Sequence, residues 1–236
     1  MKISRCPGGE VPRSYGKPGG PVQTRRFALL ALLALGALIT GPAVAAERPI
    51  RIVMLGDSIS AGFGLPAGEA LPAKLEKALK AKGLNVAVEN AGVSGDTPAG
   101  GLARLDWSVA EGTDAVIVEL GANDALRGTD PKQTRAALDA IIRKLKERKI
   151  AVLLTGMLAP RNYGPDYVAA FDSIYPELAA AHGVLLYPFV LAGVAGEAAL
   201  NQADGIHPNA AGVDAIVKGL TPKAEELVIR VRSGLR

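Results

Sequence analysis

The stretch "RIVMLGDSIS" runs from Arg51 to Ser60, and its reading decides the fold. Ile52-Val53-Met54-Leu55 is continuously apolar, the pattern of a strand buried on both faces of a sheet. Gly56-Asp57-Ser58 follows, small and polar. A glycine permits a sharp turn off a strand, and aspartate or serine suits the start of a helix. The stretch therefore reads as strand, turn, helix, with its polar residues at the strand's carboxyl end.

The same alternation repeats along the chain. Further strands are expected at "NVAVEN" (85–90), "DAVIVELG" (114–121), "IAVLLTG" (150–156) and "VLLYPF" (184–189). Helices are expected at 69–83, 98–112, 130–149 and 166–183, the last kinked before Pro176. One or two closing helices are expected over 209–233. The helix at 130–149 carries the fullest set of signals: Asp130 to cap, Pro131 in the first turn and basic residues in the last turns. Strand, helix, strand, repeated five times, predicts an α/β domain with a five-stranded parallel sheet and helices on both faces. In such a domain ligands bind beyond the carboxyl ends of the strands.

The 236 residues carry a net charge of +4, and 49% are hydrophobic. The charge is uneven. Lys2, Arg5, Arg13, Lys17, Arg25 and Arg26 against Glu10 give residues 1–46 a charge of +5, which leaves −1 for 47–236. No basic surplus remains there to suit a nucleic acid. Residues 1–46 read as a cleaved signal peptide: a basic lead, the uncharged run "FALLALLALGALITG" (27–41) and a small-x-small site in "PAVAAE". The run is shorter than the ~20 residues of a membrane-spanning helix. The expected mature chain, 47–236, is one domain without a stable membrane span, periplasmic or secreted, and expected as a monomer. The one cysteine, Cys6, lies in the segment removed, so neither a disulfide nor a cysteine metal site is expected in the mature chain.

Four loops follow strand ends or precede the last helix: Gly56-Asp57-Ser58, Asn90 to Asp96, Gly121 to Asp124, and "NQADGIHPNA" with Asp204 and His207. Together they supply a hydroxyl, a glycine-turn amide, a side-chain amide and an Asp/His pair. Acyl transfer needs these groups. Serine is a weak nucleophile until a base takes its proton. A carboxylate fixes the tautomer of that base, and the oxyanion needs preorganised donors. Candidate donors are the Ser58 and Gly95 amides and the Asn123 side chain. Taken singly, each residue has a plainer role: helix cap, turn glycine or Asx turn. The histidines discriminate, because there are two. His182 precedes Gly183 at an expected helix end, where it would satisfy carbonyls and the helix dipole. His207 stands three residues after Asp204, and that spacing can place both side chains on one face of a turn.

"GDSIS", "GVSGDT", "GAND" and "DGIHP" resemble, in order and spacing, the four blocks of the SGNH (GDSL-type) hydrolase family. "ISAGFGL", "GLARL", "VELGANDALRG" and "ADGIHPN" are closer still to its periplasmic arylesterase, acyl-CoA thioesterase I and lysophospholipase L1 subgroup. The resemblance implies a flavodoxin-like three-layer α/β/α fold. It implies Ser58 as nucleophile, His207 as base, Asp204 as its partner, and Ser58, Gly95 and Asn123 as oxyanion donors. It implies no metal and no organic cofactor, and a small acyl ester or thioester as substrate. By the same analogy Leu126, Met157, Leu158 and Tyr163 would hold an acyl chain or an aromatic ring; plain packing under a loop is the alternative. Ala122 stands where the subgroup often has a second glycine.

Three rival readings remain. "GFGLPA" (62–67) formally matches a dinucleotide fingerprint, but it begins well past the strand end and contains Pro66. A carbohydrate O-acetyl esterase would share the same four blocks. A non-catalytic lipid- or carbohydrate-binding module would use the polar loops only as caps.

Overall fold

The computed structural model describes residues 48–235; the expected export segment and Cys6 lie outside the described residues. Five strands form where the apolar runs predict them: β1 (Ile50–Gly56), β2 (Val86–Gly92), β3 (Ala115–Glu119), β4 (Ala151–Thr155) and β5 (Leu185–Tyr187). The β-branched and leucine-rich centres of β1, β3 and β4 are fully buried, as double-faced burial requires. All neighbours pair in parallel, in the order β2-β1-β3-β4-β5. The chain lays β2 on one side of β1 and then crosses to place β3 on the other. That reversal opens a crevice at the carboxyl ends of β1 and β3, where this strand order binds its ligands.

The register sharpens the crevice. Gly56 pairs with Gly92 of β2 and with Glu119 of β3. Three strands therefore end on one row, and their loops leave from it side by side.

Helices cover the sheet in two layers. α1 (Ser58–Ala61) follows the first strand directly, and α2 (Leu71–Ala81) packs against the last helix, α9 (Ala210–Arg232). The other layer contains α3 (Pro98–Ala103), α6 (Pro131–Glu147) and α8 (Ile174–His182), with α6 contacting both of the others. α4 (Leu105–Ser108), α5 (Ala122–Arg127) and α7 (Pro165–Asp172) complete the set. α6 has its expected signals: the Asp130 side chain accepts from Lys132 N at 3.0 Å, and Leu138, Ile141, Ile142 and Leu145 face the core.

Two helical expectations change in detail. The expected helix over 98–112 breaks at Arg104 into α3 and α4. The expected kink before Pro176 falls at Ser173, which keeps right-handed helical angles between α7 and α8, and Glu177 N still donates to its carbonyl. Proline cannot donate to the carbonyl four residues back, and its ring crowds it. For Pro176 that carbonyl belongs to Asp172, where α7 ends. The closing segment is one helix despite Pro222.

Candidate active site

The turn after β1 is held by its own aspartate. Asp57 caps α1, its Oδ1 accepting from Ile59 N at 3.0 Å. Gly56 is obligatory there, because a Cβ would stand 2.0 Å from Ser60 Oγ. Ser58 thus becomes the first residue of a helix, where backbone N–H groups have no partner in the helix itself. The residue is 9% exposed, and its Oγ lies 3.0 Å from His207 Nε2.

His207 comes from a tight turn that Asp204 organises. Asp204 Oδ1 accepts from Ile206 N (2.9 Å) and His207 N (3.0 Å), and its Oδ2 lies 2.7 Å from His207 Nδ1. The expected capping role and the expected His partnership therefore belong to one carboxylate. The His207 backbone N–H, then its ring and the Ile206 N–H, hold the Asp204 carboxyl down to about 2. It is ionised at neutral pH, and with a proton on the Nδ1 that faces it, Nε2 is left to accept from the Ser58 O–H. Phe63 covers one face of the ring, with centroids 4.4 Å apart. Gln202 Nε2 donates to Phe63 O (2.7 Å) and Pro208 O (3.0 Å), joining the two loops.

The donor side is equally built. Gly95 adopts φ +83°, in the left-handed region that glycine enters without strain. Its turn is anchored by the buried Arg104 guanidinium. Nε donates to Asp96 Oδ2 (2.7 Å), Nη1 to Ala91 O (2.7 Å) and Nη2 to Gly56 O (2.9 Å), so one side chain ties the ends of β1 and β2 together. Asn123, in the first turn of α5, donates from Nδ2 to Asp96 O at 2.9 Å and faces Asp57 Oδ2 at a long 3.4 Å.

Beside Ser58 and His207 opens a largely apolar cavity of about 520 Å³. Leu126, Met157 and Leu158 line it as expected, together with Ala122, Ile59 and Phe189. Tyr163 does not line it. Its hydroxyl donates to Leu126 O at 2.8 Å and its ring packs on Tyr167, so it braces the wall from outside. His182 ends α8, as expected, but its ring does not turn to the carbonyls. Nε2 lies 2.7 Å from Asp139 Oδ1, and the His182 carbonyl takes Lys146 Nζ. Among the described residues no three His, Cys, Asp or Glu side chains cluster to hold a metal ion, and no helix is long and apolar enough to cross a membrane.

Ser58, His207 and Asn123 line one cavity at the carboxyl ends of the strands, Asp204 stands behind His207, and Gly95 lies in the turn beside Asp96, whose carbonyl holds Asn123. Arg104 and Phe63 were not singled out by sequence reasoning. Both lie in the quoted blocks "GLARL" and "ISAGFGL", where an isolated basic residue between apolar ones was the available signal for Arg104.

An α/β/α fold with a hydroxyl, an imidazole and a carboxylate in line at the sheet's carboxyl edge defines a class of acyl hydrolases. Residues 54–215 match the model of the GDSL-like Lipase/Acylhydrolase family, and the chain belongs to that family. It is 42% identical over 178 residues to "Esterase TesA" of Pseudomonas aeruginosa, covering 75% of this chain and 89% of that protein. It is 42% identical over 173 residues to "Thioesterase 1/protease 1/lysophospholipase L1" of Escherichia coli K12, covering 73% and 80%. The crystal structure of AlinE4, described as an SGNH-hydrolase family esterase, superposes with a TM-score of 0.65 at 44% identity, covering 76% of this chain and 97% of that one.

Proposed function

We propose that the protein is a serine esterase that hydrolyses carboxylic esters or thioesters through an acyl-enzyme. One observation carries the reading: Asp204, His207 and Ser58 form a continuous relay, at 2.7 and 3.0 Å, that ends at the mouth of an apolar cavity. Ser58 Oγ attacks the substrate carbonyl carbon while His207 Nε2 takes its proton. The new imidazolium is stabilised by Asp204 on one side and by the Phe63 ring face on another. The oxyanion is received by the Ser58 and Gly95 amides and by Asn123 Nδ2, whose long contact with Asp57 is the one that gives way. Donors of this kind contribute about 10²–10³ each in rate. His207 then returns the proton to the departing alcohol or thiol. Water repeats the cycle on the acyl-enzyme, freeing the acid and Ser58.

The cavity favours an acyl chain longer than acetyl, because apolar side chains extend well beyond the carbonyl position. The basic, apolar lead of residues 1–46 supports export with removal of that lead near Glu47.

The test is active-site labelling. A fluorophosphonate probe is expected to label the native protein at Ser58, and Ser58→Ala is expected to abolish both labelling and hydrolysis of p-nitrophenyl esters. A native protein that resists the probe and leaves ester and thioester series intact would be a binding module, and the reading would fall.

A further inference from the structure

Glu119 ends β3 and is 1% exposed. The parallel register sets it beside Gly56, directly under the nucleophile turn. Its Oε2 accepts three hydrogen bonds, from Asp57 N (3.3 Å), Ser60 N (3.2 Å) and Ser60 Oγ (2.8 Å). Its Oε1 is equally buried and receives none. The Asp57 carboxyl is buried beside it, near enough for its charge to act on Glu119, and each of its oxygens already has a donor, Ile59 N for Oδ1 and Asn123 Nδ2 for Oδ2. Two buried carboxylates with no cation between them repel, so one of the two carries a proton. The donors show which one. An oxygen that collects three donors is the carbonyl oxygen of an acid, and the oxygen that collects none is its hydroxyl.

We propose that Glu119 is held as a neutral carboxylic acid and is the positioning residue of the nucleophile turn, its Oε1–H donating to the Asp57 carboxylate. Asp57 in turn keeps Oδ1 on Ile59 N and Oδ2 toward Asn123 Nδ2. One proton thus links the Ser58 turn to an oxyanion donor 65 residues away in sequence. Burial is the main force that lifts the Glu119 carboxyl well above its usual range, and the neighbouring Asp57 charge adds to it. The other groups facing this pocket do not supply a counter-charge. The Tyr175 hydroxyl, from α8, donates to Leu120 O, and Asp124, from α5, accepts from Thr134 Oγ1. The Arg104 guanidinium is engaged by Gly56 O, Ala91 O and Asp96.

The catalytic half of this inference rests on Ser58 as nucleophile; the proton itself is read from unfolding alone, so the two can fail separately. An unfolded glutamate ionises above pH ~4.3. Folding with Glu119 neutral therefore takes up a proton at neutral pH, and stability falls as pH rises. Chemical unfolding of native protein and Glu119→Gln at pH 7 and pH 8, above the value of about 6 to which burial raises the neighbouring Asp57 carboxyl, gives the proton count. The ratio of their unfolding constants is expected to change about tenfold per pH unit, native becoming relatively less stable at the higher pH. Parallel pH dependences would mean that Glu119 is ionised and would overturn the proposal. In ester hydrolysis, Glu119→Ala is expected to lower kcat about a hundredfold with KM within about threefold. Glu119→Gln, whose amide donates where the acid did, is expected to restore most of that loss. A Gln variant as impaired as the Ala variant would equally sink the proposal, and the Gln arm stands alone if the Ala variant does not fold.

Discussion

His207 and His182 are built alike and placed oppositely. Each ring has one nitrogen 2.7 Å from an aspartate. Each lies at the end of a helix or turn, part-buried. The difference is what stands on the ring's other side and at which edge of the sheet. His207 projects into the carboxyl-edge crevice, with Ser58 Oγ at its second nitrogen. His182 lies beside Ile150 and Ala151, where β4 begins, and its carboxylate is shared with Arg143. A His–Asp pair by itself is thus a common structural unit. Strand direction, which sets one rim of a parallel sheet apart from the other, turns one of the two pairs into a candidate base.

Deleting each ring gives the widest contrast. His207→Ala is expected to lower kcat for p-nitrophenyl esters by about 10⁴ or more, as loss of a triad base does elsewhere. His182→Ala is expected to leave kcat/KM within about twofold. Steady-state kinetics on the two purified variants would decide it, and equal losses would erase the distinction between the sites.

Changing the partner carboxylates sharpens the contrast at smaller amplitude. Asp204→Asn keeps an oxygen for the Ile206 and His207 amides but no longer fixes the imidazole tautomer. A fall in kcat of about 10³–10⁴ is expected, with KM little changed. Asp139→Asn is expected to leave kcat alone. An Asp204→Asn variant with native kcat would reduce Asp204 to a turn cap.

The rim that matters was legible because strand direction follows from the βαβ alternation, and direction alone separates residues after a strand from those before it. Ser58, Gly95, Asn123 and His207 were assigned to that rim in this way, each standing in a loop whose side of the sheet is fixed by local sequence. Glu119 was not, though it ends an apolar strand in plain view. Its role depends on the register that aligns it with Gly56, a long-range pairing that no local pattern encodes. Arg104 was missed for a related reason: its acceptors Gly56 O, Ala91 O and Asp96 Oδ2 come from the ends of two strands and from the loop after β2. Tyr163 shows the converse. Its residue type suits an acyl groove, but which side of a loop faces a cavity is settled by packing, here by the hydroxyl's bond to Leu126 O.

The smallest expected effect concerns stability at the amino-edge pair. The hydrogen bond to His182, followed by Arg143, holds the Asp139 carboxyl below its usual range. A depressed folded-state value means that the pair stabilises the protein above pH ~4, where an unfolded aspartate is ionised, and that this contribution is lost as pH falls through the lower folded value. Asp139 is about a third exposed, so solvent screening limits the effect to roughly 0.5–1 kcal/mol. Asp139→Asn is therefore expected to shift the urea midpoint slightly downward at pH 6 and to converge on native behaviour by about pH 3. Asp204 is unchanged in both proteins, so its own low value cancels in the comparison. A gap that stays constant down to pH 3 would show that Asp139 holds α6 to α8 by packing and neutral hydrogen bonding, leaving charge with no part in what the two His–Asp pairs share.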